Sequence, residues 1–333
     1  MTETEIDGIA VPTSASIAAT RAALAPHIAT TPVMQRDDMP GLDGITAQFK
    51  FELLQHSGTF KARGAFANLL ALSPEARARG VTAISAGNHA IAVAYAAMRL
   101  GVSAKVVMIR TASPARVALV HRYGAELLLA EDGASGFAMV RRIEADEGRS
   151  FVHPFNGLNT ILGTATLGAE WAEQSARPDQ RGLDAVVLPI GGGGLAAGAA
   201  TALKLALPKL AIYGVEPEGA DGMAQSFRAN GPLKLGHLSG IADSLMAPHT
   251  EAYSYGLCHR ALDGLVTVSD AQLRAAMALL FAELKLAVEP ACAAATAAAL
   301  GPLRQRLAGK RVGLLLCGSN TDAATFTGHL AAA

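Results

Sequence analysis

Val81-Thr82-Ala83-Ile84-Ser85-Ala86-Gly87-Asn88-His89-Ala90 passes from an apolar, β-branched run through a small-residue turn into a stretch that stays alanine-rich to Leu100. The first four residues read as a buried strand, and His89 to Leu100 reads as a helix. A strand feeding a helix in this way is half of a crossover unit, the connection that parallel strands require. The pattern repeats along the chain. Lys105 to Ile109 reads as the next strand, Pro114 to Tyr123 as a helix and Ala125 to Leu129 as a strand. A helix near Ala134 to Ala145 and a strand at Phe151-Val152 complete a small doubly wound unit.

A second run of the same kind starts near Gly163. It holds a strand from Ala185 to Leu188, a helix after the glycines that follow, and strands at Ala211 to Val215 and Val312 to Leu316. Gln272 to Leu286 carries apolar residues at helical spacing. The expected fold class is α/β, with two doubly wound domains built on mostly parallel sheets. Residues 80–157 are expected as a small domain inserted in a large one made of 1–79 plus 158–333, with the active site in the cleft between them.

The chain has 333 residues, of which 51% are hydrophobic and 17% charged, enough for a sizeable core. Its net charge is zero, which points to neither nucleic acid nor an anionic membrane as a partner. Cys258, Cys292 and Cys317 are widely separated and form no CxxC pair, so no metal site is expected from them. An odd cysteine count and an acidic N-terminus without the basic-then-apolar order of a signal peptide fit a cytoplasmic protein. Ala185 to Leu203 is uncharged and long enough to tempt a membrane reading, but Pro189 and a glycine quartet would break such a helix. Strand, tight loop and helix account for the same residues.

Four segments carry chemistry. In Ser57-Gly58-Thr59-Phe60-Lys61-Ala62-Arg63-Gly64-Ala65, one lysine follows a turn and precedes a helix-compatible stretch. A desolvated lysine has a lowered pKa, so its neutral amine can form a Schiff base and later act as a base. Gly191-Gly192-Gly193-Gly194-Leu195, between strand and helix, lets the backbone approach an anion and aims N–H groups at it. The quartet fits neither the spaced-glycine dinucleotide fingerprint nor a P-loop. A reactive amine with a phosphate cradle points to pyridoxal phosphate. Ser85, Asn88 and the loop amides stand at the carboxyl end of a strand, where open α/β sheets bind ligands. Ser85 or Asn88 also reads as an ordinary helix cap, and His89 as structural. Cys317 in Cys317-Gly318-Ser319-Asn320 follows another apolar strand.

Taken in order, these segments resemble the serine/threonine dehydratase (ammonia-lyase) family of fold-type II pyridoxal-phosphate enzymes, which includes serine racemase and shares the tryptophan synthase β-like fold. Gly214-Val215-Glu216-Pro217-Glu218, Ile241-Ala242-Asp243 and Val288-Glu289-Pro290-Ala291 extend the likeness, from about Lys50 to Asp322. The resemblance implies that Lys61 is the catalytic, Schiff-base lysine. It implies that Phe60, Asn88, Gly191, Gly192, Gly193, Gly194, Leu195, Glu289 and Cys317 bind the cofactor, with Cys317 facing the pyridine nitrogen. Ser85, Ala86, Asn88 and His89 would line the substrate carboxylate site. A thiol cannot supply the charge that keeps the ring nitrogen protonated, so β-elimination is favoured over reactions through a long-lived carbanion.

The implied reaction is dehydration and deamination of a β-hydroxy-α-amino acid such as L-threonine or L-serine to a 2-oxo acid and ammonia. Racemisation and a 3-hydroxyaspartate or phenylserine dehydratase are the alternatives, and a binding module without turnover is the rival outside enzymes. Three departures qualify the likeness. Ala86 stands where serine racemases carry the second base. Gly222 stands where the family's cation site has an acid, so no metal is expected beside Glu216. Gly163-Thr164-Ala165-Thr166 replaces Gly-Gln-Gly-Thr. Met246, His249, Tyr253 and Tyr255 are expected to border the substrate side chain. The resemblance implies a homodimer, and no regulatory domain is expected after the Cys317 turn.

Overall fold

The computed structural model describes residues 4–333; residues 1–3, part of the acidic N-terminus and of the expected large domain, lie outside the described residues. A short antiparallel hairpin, β1 (Glu5–Ile6) and β2 (Ile9–Ala10), precedes two sheets. The strands after it are β3 (Val33–Arg36), β4 (Thr46–Phe51), β5 (Val81–Ile84), β6 (Ala104–Ile109), β7 (Glu126–Ala130) and β8 (Ser150–Phe151). Then come β9 (Ala185–Pro189), β10 (Ala211–Pro217), β11 (Gly264–Val268) and β12 (Arg311–Leu316). One sheet has the order β11-β10-β9-β12-β4-β3 and the other β7-β6-β5-β8. All neighbours within the two are parallel except β3, which runs antiparallel to β4 at an edge. The architecture is α/β with mostly parallel sheets, as expected.

The central strand β9 is buried along its whole length, which is why its sequence is a continuous apolar run rather than an alternation. The chain turns at the glycines and continues as the helix Gly194–Ala206, so the strand, loop and helix reading of this segment holds. No helix among the described residues is long and apolar enough to cross a membrane. The helix expected from Gln272 to Leu286 runs instead over Asp270–Leu284. Ser269 caps its start, and Lys285 stops it by adopting a left-handed conformation (φ 59°).

Strand β4 was not legible as a core strand because it carries Gln48 and Lys50, both buried. They face a polar layer under the helix Leu158–Ser175. Lys50 Nζ donates to Thr31 O at 2.8 Å, to Gln174 Oε1 at 2.7 Å and to Glu170. Arg63 lies fully buried beside it. It donates through Nε and Nη2 to the two oxygens of Glu52, each at 2.8 Å, and through Nη2 to Glu170 at 3.0 Å. The two cations and two carboxylates balance, and each charge has hydrogen-bonded partners, the condition under which buried ions are tolerated. Arg63 sits two residues after Lys61 on the helix Lys61–Leu70, so the network anchors the helix that carries the lysine.

The same helix packs closely on Leu158–Ser175. A Cβ at Gly163 would come within 2.6 Å of Arg63 O and of Gly64 Cα, so only glycine permits this approach. Thr164 Oγ donates to Gly194 O at 2.8 Å, and Thr166 Oγ accepts from Arg63 Nη1 at 3.3 Å. The Gly163-Thr164-Ala165-Thr166 segment therefore joins the lysine helix to the helix after the glycines.

Arg63→Met leaves Glu52 and part of Glu170 buried without their cation. It is expected to lower unfolding stability by about 3–5 kcal/mol, read as a reduced urea midpoint at unchanged slope.

Candidate active site

The carboxyl ends of β5, β9 and β12 lead into the loops at Ser85, Gly191 and Cys317, the edge at which open α/β sheets hold ligands. A cavity of about 900 Å³ opens there. Its lining brings together Phe60, Lys61, Ser85, Ala86, Asn88, His89, Gly191, Gly192, Gly193, Gly194, Leu195, Glu289 and Cys317, the residues expected at the lysine, the cofactor and the substrate carboxylate. A volume of this size suits a cofactor with a substrate beside it.

Lys61 is the first residue of its helix and is half-buried. Its Nζ donates to Pro154 O and lies 5.2 Å from the Phe60 ring centroid. Burial lowers its pKa to about 8, against the smaller opposing influence of Cys317 and Glu289. The turn ahead of it is zipped to the loop after β12. Phe60 N donates to Cys317 O at 3.2 Å, and Ser319 N donates to Gly58 O at 3.0 Å. Lysine and cysteine thus share one rigid junction.

Cys317 is buried, and hydrogen bonding with the Cys292 thiol, followed by burial, pushes its pKa above the ordinary thiol range. It is held as a neutral thiol. Asn88 is held on three sides. Its Nδ2 donates to Glu289 Oε1 at 2.7 Å and Ser244 Oγ at 3.2 Å, and its Oδ1 accepts from Asn320 Nδ2 at 2.8 Å. Burial raises the Glu289 carboxyl to about 7, with Arg116 pulling it down.

Neither Ser85 nor Asn88 caps the helix Asn88–Leu100. The cap is Gly87, with no side-chain cap bond, and Ser85 Oγ instead accepts from Gly87 N at 3.1 Å. The Ser85 hydroxyl is engaged by the amide of the cap residue itself and makes no cap bond to the helix. His89 Nε2 donates to Val152 O at 2.8 Å, and burial drives its pKa to about 3, so it stays neutral.

Reading the sequence missed Arg116. Buried on the helix Pro114–Arg122, it donates to Asn320 O at 2.9 Å, to Glu289 at 3.3 Å and to Asp243. Its guanidinium lies where a Cβ on Gly87 would fall, 2.9 Å away. A lone arginine in an ordinary helical pattern offers no signal for this. Met246 and His249 do line the cavity. Tyr253 and Tyr255 do not: Tyr253 is buried with its hydroxyl on Ala10 O, and Tyr255 packs on Phe227 and His259. The helix Ala252–Ala261 turns both away. Glu216 accepts the amides of Met223 and Ala224 at 2.7 Å each, so both its oxygens cap a helix.

Residues 24–318 match the sequence profile of the family described as "Pyridoxal-phosphate dependent enzyme". The chain belongs to this family. Over 327 residues it is 62% identical to the phenylserine dehydratase of Ralstonia pickettii, covering 98% of this chain and 99% of that protein. It is 36% identical over 317 residues to the beta-hydroxyaspartate dehydratase of Paracoccus denitrificans, covering 94% and 97%. The structure of maize serine racemase superposes with a TM-score of 0.89 at 33% identity, covering 96% of each chain.

The site fits the family's cofactor on its own evidence. The helix Gly194–Ala206 begins at Gly193, which has a positive φ of 91° and gives no side-chain cap, so its first amides have no partner within the helix. A Cβ on Gly192 would fall 2.2 Å from the Phe155 ring, and one on Gly194 2.5 Å from Phe155 O, so bulkier residues cannot form this bend. An uncapped helix start that lines the cavity is a ready phosphate site.

The Lys61 amine loses its proton as pH rises through about 8. Pyridoxal-phosphate uptake by the apoprotein, followed by absorbance, should accelerate with pH up to that value and then level off. A midpoint near the ordinary lysine value would contradict the burial of this amine.

Proposed function

We propose that the protein converts a β-hydroxy-α-amino acid to the corresponding 2-oxo acid and ammonia, with Lys61 as its catalytic base. Pyridoxal phosphate, when bound, supplies an aldehyde that captures the amino group and a ring that withdraws electrons from Cα. Lys61 takes the Cα proton at Nζ. An amine with a pKa of about 8 suits that task near neutral pH. Water leaves across the Cα–Cβ bond, and hydrolysis then releases ammonia, so the net change is R–CHOH–CH(NH₃⁺)–COO⁻ to R–CH₂–CO–COO⁻ and NH₄⁺.

The remaining assignments belong to the same proposal. The amides of Gly191 to Leu195 receive the phosphate at the helix start. Asn88, fixed by Glu289 and Asn320, meets the ring hydroxyl, and Arg116 positions Glu289. Cys317 offers the ring nitrogen a neutral thiol. Ser85, Ala86 and His89 border the carboxylate. Phe60 packs beside the lysine amine. We further propose that residues 80–157 form a small domain inserted in the larger one of 1–79 plus 158–333, with the active site in the cleft between them, and that the protein is a cytoplasmic homodimer.

The observation that carries this reading is one buried lysine amine opening into the same cavity as the uncapped helix start. Elimination is favoured over racemisation because Ala86 presents only a methyl group where a second base would stand. Purified holoenzyme should yield 2-oxo acid from at least one of L-threonine, L-serine and phenylserine. Lys61→Ala should lower that rate by about 10³-fold or more, as loss of a positioned acid–base group does. Silence across the panel, or residual amino acid turning racemic without 2-oxo acid, would overturn the reading.

A further inference from the structure

Beyond the reacting centre, one wall of the cavity is built from rings. Phe137 comes from the helix Gly133–Glu147, Phe155 follows β8, and His249 precedes the helix Ala252–Ala261. All three line the cavity that holds Lys61. Their centroids lie 5.5 Å apart for Phe155 and His249, and 6.2 Å apart for Phe137 and His249. These are the separations of edge-to-face aromatic contacts. His153 extends the cluster, with its ring centroid 4.7 Å from that of Phe155. Leu238, Met246 and Pro248 add apolar side chains to this wall, and Lys234, bridged to His249, also lines the cavity.

Glu251 stands behind these rings. Its Oε1 accepts from His249 Nε2 at 3.0 Å and lies 3.7 Å from His153 Nε2. Two imidazoles and a carboxylate this close also form the spacing of a cation site. The hydrogen bonds of His153 oppose that use. Its Nδ1 accepts the amides of Phe155 at 3.3 Å and Asn156 at 3.0 Å. A neutral imidazole that accepts at Nδ1 carries its proton on Nε2, which leaves no lone pair there for a metal. The cluster is a brace for ring positions.

We infer that Phe137, Phe155 and His249 form the subsite for an aryl group on the substrate Cβ, with Glu251 positioning His249. The inference rests on the dehydratase reading for its reaction but not for its binding. A substrate ring extends a set in which Phe155 and His249 already meet edge to face and Phe137 tilts against His249. A carboxylate at the same wall meets the electron-rich ring faces and the charge of Glu251, so the subsite selects aryl over acidic side chains.

The test compares kcat/KM for phenylserine, L-threonine and 3-hydroxyaspartate in the holoenzyme and in Phe137→Leu and Glu251→Gln. Phe137→Leu keeps apolar volume and removes the ring. The wild type should prefer phenylserine over both others. Each variant should lower phenylserine more than threonine, by about tenfold for Phe137→Leu, the size of a modest pocket change. For Glu251→Gln the loss should fall on KM, because the group holds a binding ring. Equal losses on both substrates, or a wild type that prefers 3-hydroxyaspartate, would overturn the subsite. Calorimetric binding of L-phenylalanine against L-alanine separates the two claims. Selective binding of phenylalanine, weakened in Phe137→Leu, with no 2-oxo acid from any substrate would sink the dehydratase reading alone. Absence of that selectivity would sink the subsite.

Discussion

A balanced set of buried charges holds Lys61 in place. Arg63, two residues along the same helix, is clamped between Glu52 at the end of β4 and Glu170 on the helix Leu158–Ser175, while Lys50 neutralises the other side of Glu170. Desolvating these ions is costly, and only mutual pairing compensates for it. The helix therefore has one register in which the charges are satisfied. That register delivers Lys61 to the cavity edge. Close helix contacts at Gly163 and Gly64 reinforce the same placement.

This arrangement gives the chain one fully buried and one half-buried lysine with opposite properties. Both have lowered pKa values, with burial the largest cause. Lys50 is surrounded by a backbone carbonyl, an amide oxygen and a carboxylate, and its side chain is fully buried. Lys61 has one carbonyl partner and a cavity. The first is structural because its hydrogen bonds are saturated. The second is available for chemistry because they are not.

Most strands of the smaller sheet were legible because each is a short apolar run bounded by turns, and β5 lies at Val81–Ile84 as read. The glycine bend was legible for the same reason: four consecutive glycines have few uses besides close backbone approach. What escaped were features set by distant partners. Strand β4 hides behind Gln48 and Lys50, whose burial depends on residues more than a hundred positions away. Arg116 gains meaning only when Asp243, Glu289 and Asn320 converge on it. Tyr253 and Tyr255 failed in the opposite sense, since nearness in sequence to His249 did not place them on its wall. The rings at Phe137 and Phe155 sit far from His249 along the chain and left no local pattern.

The most direct measurement is reduction of the pyridoxal-phosphate-loaded protein with borohydride, followed by peptide mapping. Phosphopyridoxyl label on the peptide containing Lys61, and none on that containing Lys50, is the predicted result. Label on Lys50, or on neither peptide, would contradict the assignment of the open amine as the one that carries the cofactor.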